Sequence, residues 1–322
     1  MVNLSFRPVD LRPMREIFGD RLQENAPLAR YTAVRVGGPA DALLDVHSLV
    51  ELAEAVSLAW EQEIPSVILG GGSNALVSDA GVRGLVILNR AREVRFDAQA
   101  ELPTVWAESG ANFGALARQA VQRGMGGLEW AAGIPGTVGG AVVGNAGAHG
   151  SDMATSLRLA EILHRSRAQG SAAVPQQEEW SPEQLAFRYR SSLLKRQPGD
   201  AVVLAATLRL EHSAPQAIQA KMEEFLAHRR RTQPPGASMG SMFKNPPGDY
   251  AGRLIEAAGL KGKRIGDAQI STVHANFFVN RGQASAQDIL SLIQLVQQTV
   301  AQKLDVMLEL EIELLGDWIM DS

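Results

Sequence analysis

The chain has 322 residues, 45% of them hydrophobic, enough to bury the cores of two or three domains. A formal net charge of -4 excludes a bulk positive field for nucleic acid or an anionic membrane, so any phosphate must be held by local groups. The absence of cysteine excludes disulfides, thiolate metal sites and a cysteine nucleophile.

The residues from Met1 to Asp20 carry charges where a signal peptide needs an unbroken apolar stretch, so a cytoplasmic protein is expected. From Asp41 to Val46 an apolar run predicts a strand, and Ser48 followed by Glu51 is a capping box for a helix that buries Leu49, Leu52, Val56 and Trp60. Pro65 precedes a buried strand, Val67 to Leu69, which runs into Gly70, Gly71, Gly72, Ser73 and Asn74, and a further strand follows at Leu85 to Asn89. A second block begins with strand Thr104 to Glu108 and helix Asn112 to Arg123, stopped by Gly124. Strands near Ser156 to His164 and Val202 to Leu210 close it, while Arg165 to Glu179 lacks periodicity and is expected to be an exposed excursion. Pro215 starts a helix through His228 that ends in Arg229, Arg230 and Arg231 before a Pro234-Pro235 break. Then come helix Asp249 to Ala258, strands at Ala268 to Ser271 and Asn276 to Asn280, a long helix capped by Ser285 and Asp288, and a final strand Leu308 to Leu315.

Three segments carry chemistry. Gly70 to Asn74 sits at the end of a buried strand, where consecutive glycines let amides close on a phosphate; a tight turn needing positive φ is the equal alternative. No Gly-Lys-Ser/Thr follows and no amphipathic helix opens after Asn74, which excludes a Walker A loop and a Rossmann fingerprint. Gly127 to Gly150 is too rich in glycine for a helix and too apolar for a solvated loop, and its weakly polar part, Ala131 to Ala148, holds several glycines and Pro135 and lacks the long apolar side chains of a membrane span. Extended backbone flanked by Ile134, Val138 and Val142 suits a flat dinucleotide such as FAD; glycine-mediated strand packing is the other reading. Gly240 to Pro246, GSMFKNP, puts a hydroxyl, a cation and an amide between two breakers, a weak signal alone.

Taken in order, these segments resemble the UDP-N-acetylenolpyruvoylglucosamine reductase family. The resemblance runs through RYTAVRVGGPAD from Arg30, ILGGGSNALVSD from Ile68, the glycine-rich stretch, FRYRSS from Phe187, GSMFKNP, AGRLIEAAGLKG from Ala251 and LELEIELLG from Leu308. It implies an α+β protein: a two-part FAD-binding module of the vanillyl-alcohol-oxidase type, residues 1–89 and 90–213, followed by an α+β substrate-binding domain, 214–315. The tail 316–322 is free to return to the first part. It implies an NADPH-dependent flavoenzyme that holds FAD noncovalently and reduces the enolpyruvyl group of UDP-N-acetylenolpyruvoylglucosamine to the lactyl ether of UDP-N-acetylmuramate, a peptidoglycan precursor. The implied flavin contacts are Gly70, Gly71, Gly72, Ser73, Asn74, Gly133, Ile134, Pro135, Gly136, Thr137, Gly140, Asn145, Gly147 and Ala148. The implied catalytic residues are Arg190, Ser241 and Glu311, with Arg190, Asn245 and Asn276 on the substrate.

Those residue types suit the reaction. Hydride addition to the terminal enolpyruvyl carbon makes an enolate-like carboxylate that a guanidinium grips bidentately, Glu311 is tolerated there only if protonated or if it orients the arginine, and Ser241 supplies the proton to carbon. The interval from Arg190 to Ser241 holds one predicted strand and one helix, so the chain resembles the shorter subtype of the family, without an inserted tyrosine loop. No metal, nucleic acid or membrane partner is expected, and the protein is expected to be a monomer. An oxidase on the same FAD module and a nucleotide-holding module without turnover are the rival readings.

Overall fold

The computed structural model describes residues 10–99, 101–166 and 174–318. The first block is a four-stranded sheet in the order β1 (Leu22–Pro27), β2 (Pro39–Val46), β5 (Val82–Asn89), β3 (Ser66–Leu69). β5 runs parallel to both β2 and β3, and β1 is the antiparallel edge. Helix α1 (Leu49–Glu61) connects β2 to β3 and buries Leu52, Val56 and Trp60. Ser48 caps it through the Glu51 amide, and Glu51 reaches back to the His47 N–H at 2.8 Å. The short strand β4 (Ala75–Val77) follows the glycine loop.

The second block is an antiparallel five-stranded sheet in the order β9 (Val174–Trp180), β8 (Leu157–Ser166), β10 (Ala201–Arg209), β7 (Thr104–Glu108), β6 (Val94–Asp97). Two expectations fail here. The segment expected to be an excursion contains β9, an edge strand with little burial, held by its ladder to β8. The stretch judged too rich in glycine for a helix contains α3 (Val138–Gly144), which follows α2 (Phe113–Gln122) in the chain. Val138 and Val142 are fully buried in the block's core, so they face protein and no ligand. Burial of that apolar face outweighs the helix cost of three glycines.

Helix α4 (Pro215–Thr232) packs Ile218 and Met222 into the core of the second block. The rest of the chain folds around an antiparallel sheet, β11 (Ala237–Ser241), β14 (Phe277–Asn280), β13 (Ala268–Ile270), β12 (Arg264–Ile265), with helices α5 (Ala251–Ala257) and α6 (Ala286–Leu304). The Ser285 and Asp288 box closes on both sides, and Asp79 from the first block adds bonds to the Ala286 and Gln287 amides at 2.9 Å. The strand expected from Leu308 shrinks to β15 (Glu313–Leu315), because residues 309–311 bond sideways to the 240–246 loop before β15 pairs parallel with β4. The chain thus re-enters the first block at Glu313.

Candidate functional site

The glycine loop after β3 is wedged between two partners. A Cβ on Gly70 would lie 2.4 Å from Thr137 Oγ1, and one on Gly72, at φ +57°, would lie 2.1 Å from the Tyr31 carbonyl oxygen. Ser73 Oγ donates to the Pro135 carbonyl at 3.4 Å, so residues 70–74 and 135–137 face each other. Among the described residues, the N–H groups of Gly71, Gly72, Ser73 and Asn74 find no protein acceptor. The amides at the start of α3 are already taken: Val138 N bonds Ala111 O, Gly139 N bonds Ser109 O and Gly140 N bonds Thr137 Oγ1. The loop, rather than the helix end, therefore supplies free donors that fit a diphosphate.

Arg190 is set on a tight turn. Arg188 and Ser191 exchange backbone hydrogen bonds, at 2.8 and 3.0 Å, and Arg190 takes the left-handed position at φ +53°. That conformation costs a non-glycine residue about 1–2 kcal/mol and is the kind of strain found at functional sites. Ser192 then caps the short helix Leu193–Arg196 and donates through Oγ to Val143 O at 2.7 Å, fixing the turn to α3.

The opposite wall comes from β11 and the 309–311 segment. A bulge between Ser238 and Ser241 re-aims the end of β11, and beyond it Met242 O accepts from Glu311 N, Lys244 N donates to Glu309 O, and Phe243 bridges Leu310. Glu309, Glu311 and Glu313 each meet a cation: Lys244 at 3.2 Å, Arg190 at 2.9 Å and Lys195 at 2.7 Å. Only in the middle pair are both partners largely buried, with side chains 23% and 20% exposed. There the Arg190 Nε–H is close to Glu311 Oε1 without pointing at it, a charge contact rather than an aligned hydrogen bond. Burial pushes the Glu311 carboxyl above the usual carboxylate range, against the pull of Arg190, Lys195 and Lys244.

Arg190, Ser241 and Glu311, distant in sequence, line one cavity of about 310 Å³ together with Ser73, Asn74, Ile134, Pro135, Gly136, Thr137, Gly140, Gly147 and Ala148. Gly70, Gly71 and Gly72 lie beside that lining: Gly70 packs on Thr137, Gly72 is buried against Tyr31 and Thr32, and Gly71 is exposed next to Gly136. Gly133 lies under Arg229.

Three expected contacts are engaged elsewhere. Asn145, at a left-handed helix end, accepts from Ala154 N and donates to Arg188 O. Asn245 accepts from Ala251 N at the start of α5. Asn276 is buried, and its amide grips both the N–H and C=O of Phe243, at 2.9 and 2.8 Å. Asn145 and Asn276 thereby brace the arginine turn and the serine loop, respectively. Sequence reasoning missed Lys195, Arg229, Gln233 and Met239, which also line the cavity. Among the described residues no cluster of His, Asp and Glu has the makings of a metal site.

Comparison with known proteins gives matches along most of the chain. A sequence model of the UDP-N-acetylenolpyruvoylglucosamine reductase C-terminal domain matches residues 232–315, and one of an FAD binding domain matches residues 40–164. The UDP-N-acetylenolpyruvoylglucosamine reductase of Chloroflexus aggregans is 43% identical over 305 residues, covering 94% of this chain and 100% of that protein. The reductase of the same name from Rubrobacter xylanophilus is 47% identical over 293 residues, covering 90% of this chain and 94% of that protein. Among solved structures, the Thermus caldophilus UDP-N-acetylenolpyruvylglucosamine reductase matches with a TM-score of 0.75 and 38% identity, over 92% of this chain and 99% of that one.

Proposed function

The chain belongs to the UDP-N-acetylenolpyruvoylglucosamine reductase family, and from that premise we propose that it uses NADPH and a noncovalently held FAD to reduce the enolpyruvyl group of UDP-N-acetylenolpyruvoylglucosamine. The product is UDP-N-acetylmuramate, a peptidoglycan precursor. The observation that carries this reading is the largely buried Arg190–Glu311 pair in one cavity with Ser241 and the two glycine-rich loops. Residues 1–89 and 90–213 are read as the two halves of the FAD module and 214–315 as the substrate domain, with α4 at its start packed on the second half and β15 at its end paired to the first.

FAD fits the free amides of Gly71 to Asn74 for its diphosphate and the wall of Ile134 to Thr137, Gly140, Gly147 and Ala148 for its ring. Bound there, it supplies the hydride-transfer chemistry between NADPH and substrate. Arg190 keeps its terminal nitrogens for the substrate carboxylate, since Glu311 holds the Nε edge, and it neutralises the charge that develops as the double bond is reduced. Glu311 orients that guanidinium, and its raised proton affinity lessens the repulsion a carboxylate would impose on the enolate. Ser241, at the end of β11, delivers a proton from Oγ to the carbon beside the carboxylate. The interval between Arg190 and Ser241 is filled by the short helix Leu193–Arg196, β10, a two-residue strand and α4, with no inserted loop, as in the shorter subtype.

Anaerobic NADPH titration tests the assignment. The purified protein is expected to be yellow, to release its flavin on denaturation, to bleach with NADPH and to regain colour when given UDP-N-acetylenolpyruvoylglucosamine. Protein without flavin, or reduced protein that the substrate fails to reoxidise, overturns the reading.

A further inference from the structure

Three basic side chains line the cavity, and two of them have partners. Arg190 meets Glu311, and Lys195 meets Glu313 at 2.7 Å and the Glu311 carbonyl at 2.9 Å. The third, Arg229 in the last turn of α4, has no ion pair and no side-chain hydrogen bond among the described residues. Burial lowers its proton affinity from the ordinary arginine value, and no neighbouring carboxylate offsets that.

Its surroundings lie in one part of the chain. A Cβ on Gly133 would fall 2.5 Å from Arg229 Cδ and 2.8 Å from its Nε, so only bare backbone lets the side chain lie along the loop that leads into Ile134 to Thr137. His149, at the tip of the hairpin after Gly147 and Ala148, stacks on Phe225 at 4.1 Å and sets its ring edge-on to His228 at 5.7 Å. Burial, then His228 and Arg229, hold the His149 imidazole below its usual range, with Glu224 pulling weakly the other way. Gly133 and His149 both belong to the 127–150 segment assigned to the flavin; neither belongs to the serine loop or the 309–311 wall.

A desolvated cation without a counter-charge is unfavourable unless a ligand brings an anion. Oxidised flavin has a neutral ring. On two-electron reduction with one proton the ring becomes an anion, its charge shared between N1 and the adjacent C2 carbonyl. A positive charge kept beside the ring thus favours the reduced form.

Resting on the FAD assignment above, we infer that Arg229 is a positioning residue for the flavin's redox state: the cavity's one unpaired cation among the described residues, held against the ring-lining loop to stabilise the reduced, anionic cofactor. The competing anion is a phosphate of NADPH or of the UDP-sugar, and the measurements separate these sources.

The test uses the flavin-loaded protein and reads the midpoint potential with reference dyes. Arg229→Met is expected to keep its flavin and to shift the oxidised–reduced equilibrium about tenfold toward the oxidised form, a potential about 30 mV more negative. Arg229→Lys, which keeps the charge, is expected to recover most of the difference. A second measurement needs no variant. In mildly alkaline solution the wild-type potential should fall with pH at the slope of one proton taken up per two electrons. An unchanged potential in Arg229→Met with a raised KM for NADPH or for the UDP-sugar makes Arg229 a phosphate anchor and overturns the inference. So does a wild-type slope of two protons. Should Arg229→Met lose its flavin, Arg229→Gln, which keeps a polar side chain and drops the charge, is measured in its place. A wild-type protein that binds no flavin overturns instead the proposed function.

Discussion

The two walls of the cavity are built from different materials. On the flavin side, residues 70–74 and 133–148 work through backbone: amides without acceptors, and glycines that let one loop approach another to distances no side chain allows. On the side proposed as catalytic, Arg190, Ser241 and Glu311 present side chains, each carried by a different segment and joined to the next by contacts such as Asn276 with Phe243, Lys195 with Glu313 and Arg190 with Glu311. The first wall depends chiefly on shape, with Arg229 as a cation lying along it; the second depends chiefly on charge. A change to the flavin wall should therefore be felt as lost cofactor and stability, and a change to the catalytic wall as lost turnover in a protein that still folds yellow.

The largest effect is expected at Gly72. An added methyl would meet the Tyr31 carbonyl at 2.1 Å and the Thr32 Cα at 2.9 Å, in a left-handed conformation that already disfavours alanine. Gly72→Ala should lose about 2–5 kcal/mol of stability and most of its flavin. Thermal denaturation and the flavin-to-protein absorbance ratio check this, and a stable, fully loaded variant would show the loop to be looser than its geometry. Across the cavity, Arg190→Lys should keep a normal flavin content and melting point while losing about 2–4 kcal/mol of transition-state stabilisation, because an ammonium keeps the charge and forfeits the planar grip. Near-normal turnover would take Arg190 out of the site.

Ser241 sharpens the comparison within the catalytic wall. Ser241→Ala should bleach with NADPH at the normal rate and then reoxidise about 10²-fold more slowly with the enolpyruvyl substrate, since only the second half-reaction needs a proton delivered to carbon. Ser241→Cys should recover part of that rate. If the hydroxyl merely capped its loop, both half-reactions would be nearly intact in stopped-flow traces and stability alone would drop slightly.

The same contrast governs how much could be read from sequence. Helix starts at Ser48, Asn112 and Ser285 are local hydrogen-bond patterns and were legible, as was the glycine loop. Helix α3 was hidden because its glycines argue against helix, while its cause is tertiary: Val138 and Val142 are buried, and Gly139 leaves no room for a Cβ against Ser109 at 2.8 Å. Strand β9 has almost no apolar alternation and exists through its pairing. The residues proposed as catalytic were singled out only through the family resemblance, since nothing local distinguishes Glu311 from Glu309 or Glu313. Arg229 did leave a trace. Ile218, Met222, Phe225 and Leu226 mark the buried stripe of α4, and Arg229 continues that stripe at helical spacing while Arg230 and Arg231 point outward. A cation in line with a buried stripe is the signal that was passed over.

The smallest expected effect tests how finely the catalytic wall is tuned. Lys195 touches no expected substrate atom in this reading; its ammonium pairs with Glu313 and donates to the Glu311 carbonyl, which also receives Asn74 Nδ2 at 3.1 Å. The pair with Glu313 is half open to solvent on the acid side, so its loss should cost stability no more than about 1 kcal/mol. Its effect on Glu311 is a separate matter. Burial is the largest influence on that carboxyl and pushes its proton affinity up, while Arg190, then Lys195, then Lys244 pull it down. Lys195→Met removes one of the charges that favour the ionised form, so Glu311 must hold its proton to higher pH, and the limb of the oxidative half-reaction that reports its ionisation must move to higher pH. The rate at the optimum should change only a few-fold, roughly the scale of one lost charge-assisted contact. Lys195→Arg should return the limb toward its original place. A purely structural lysine predicts a lowered melting point with the limb unmoved, and a limb that moved to lower pH would mean that the charge at Lys195 does not act on Glu311 in the direction the geometry requires.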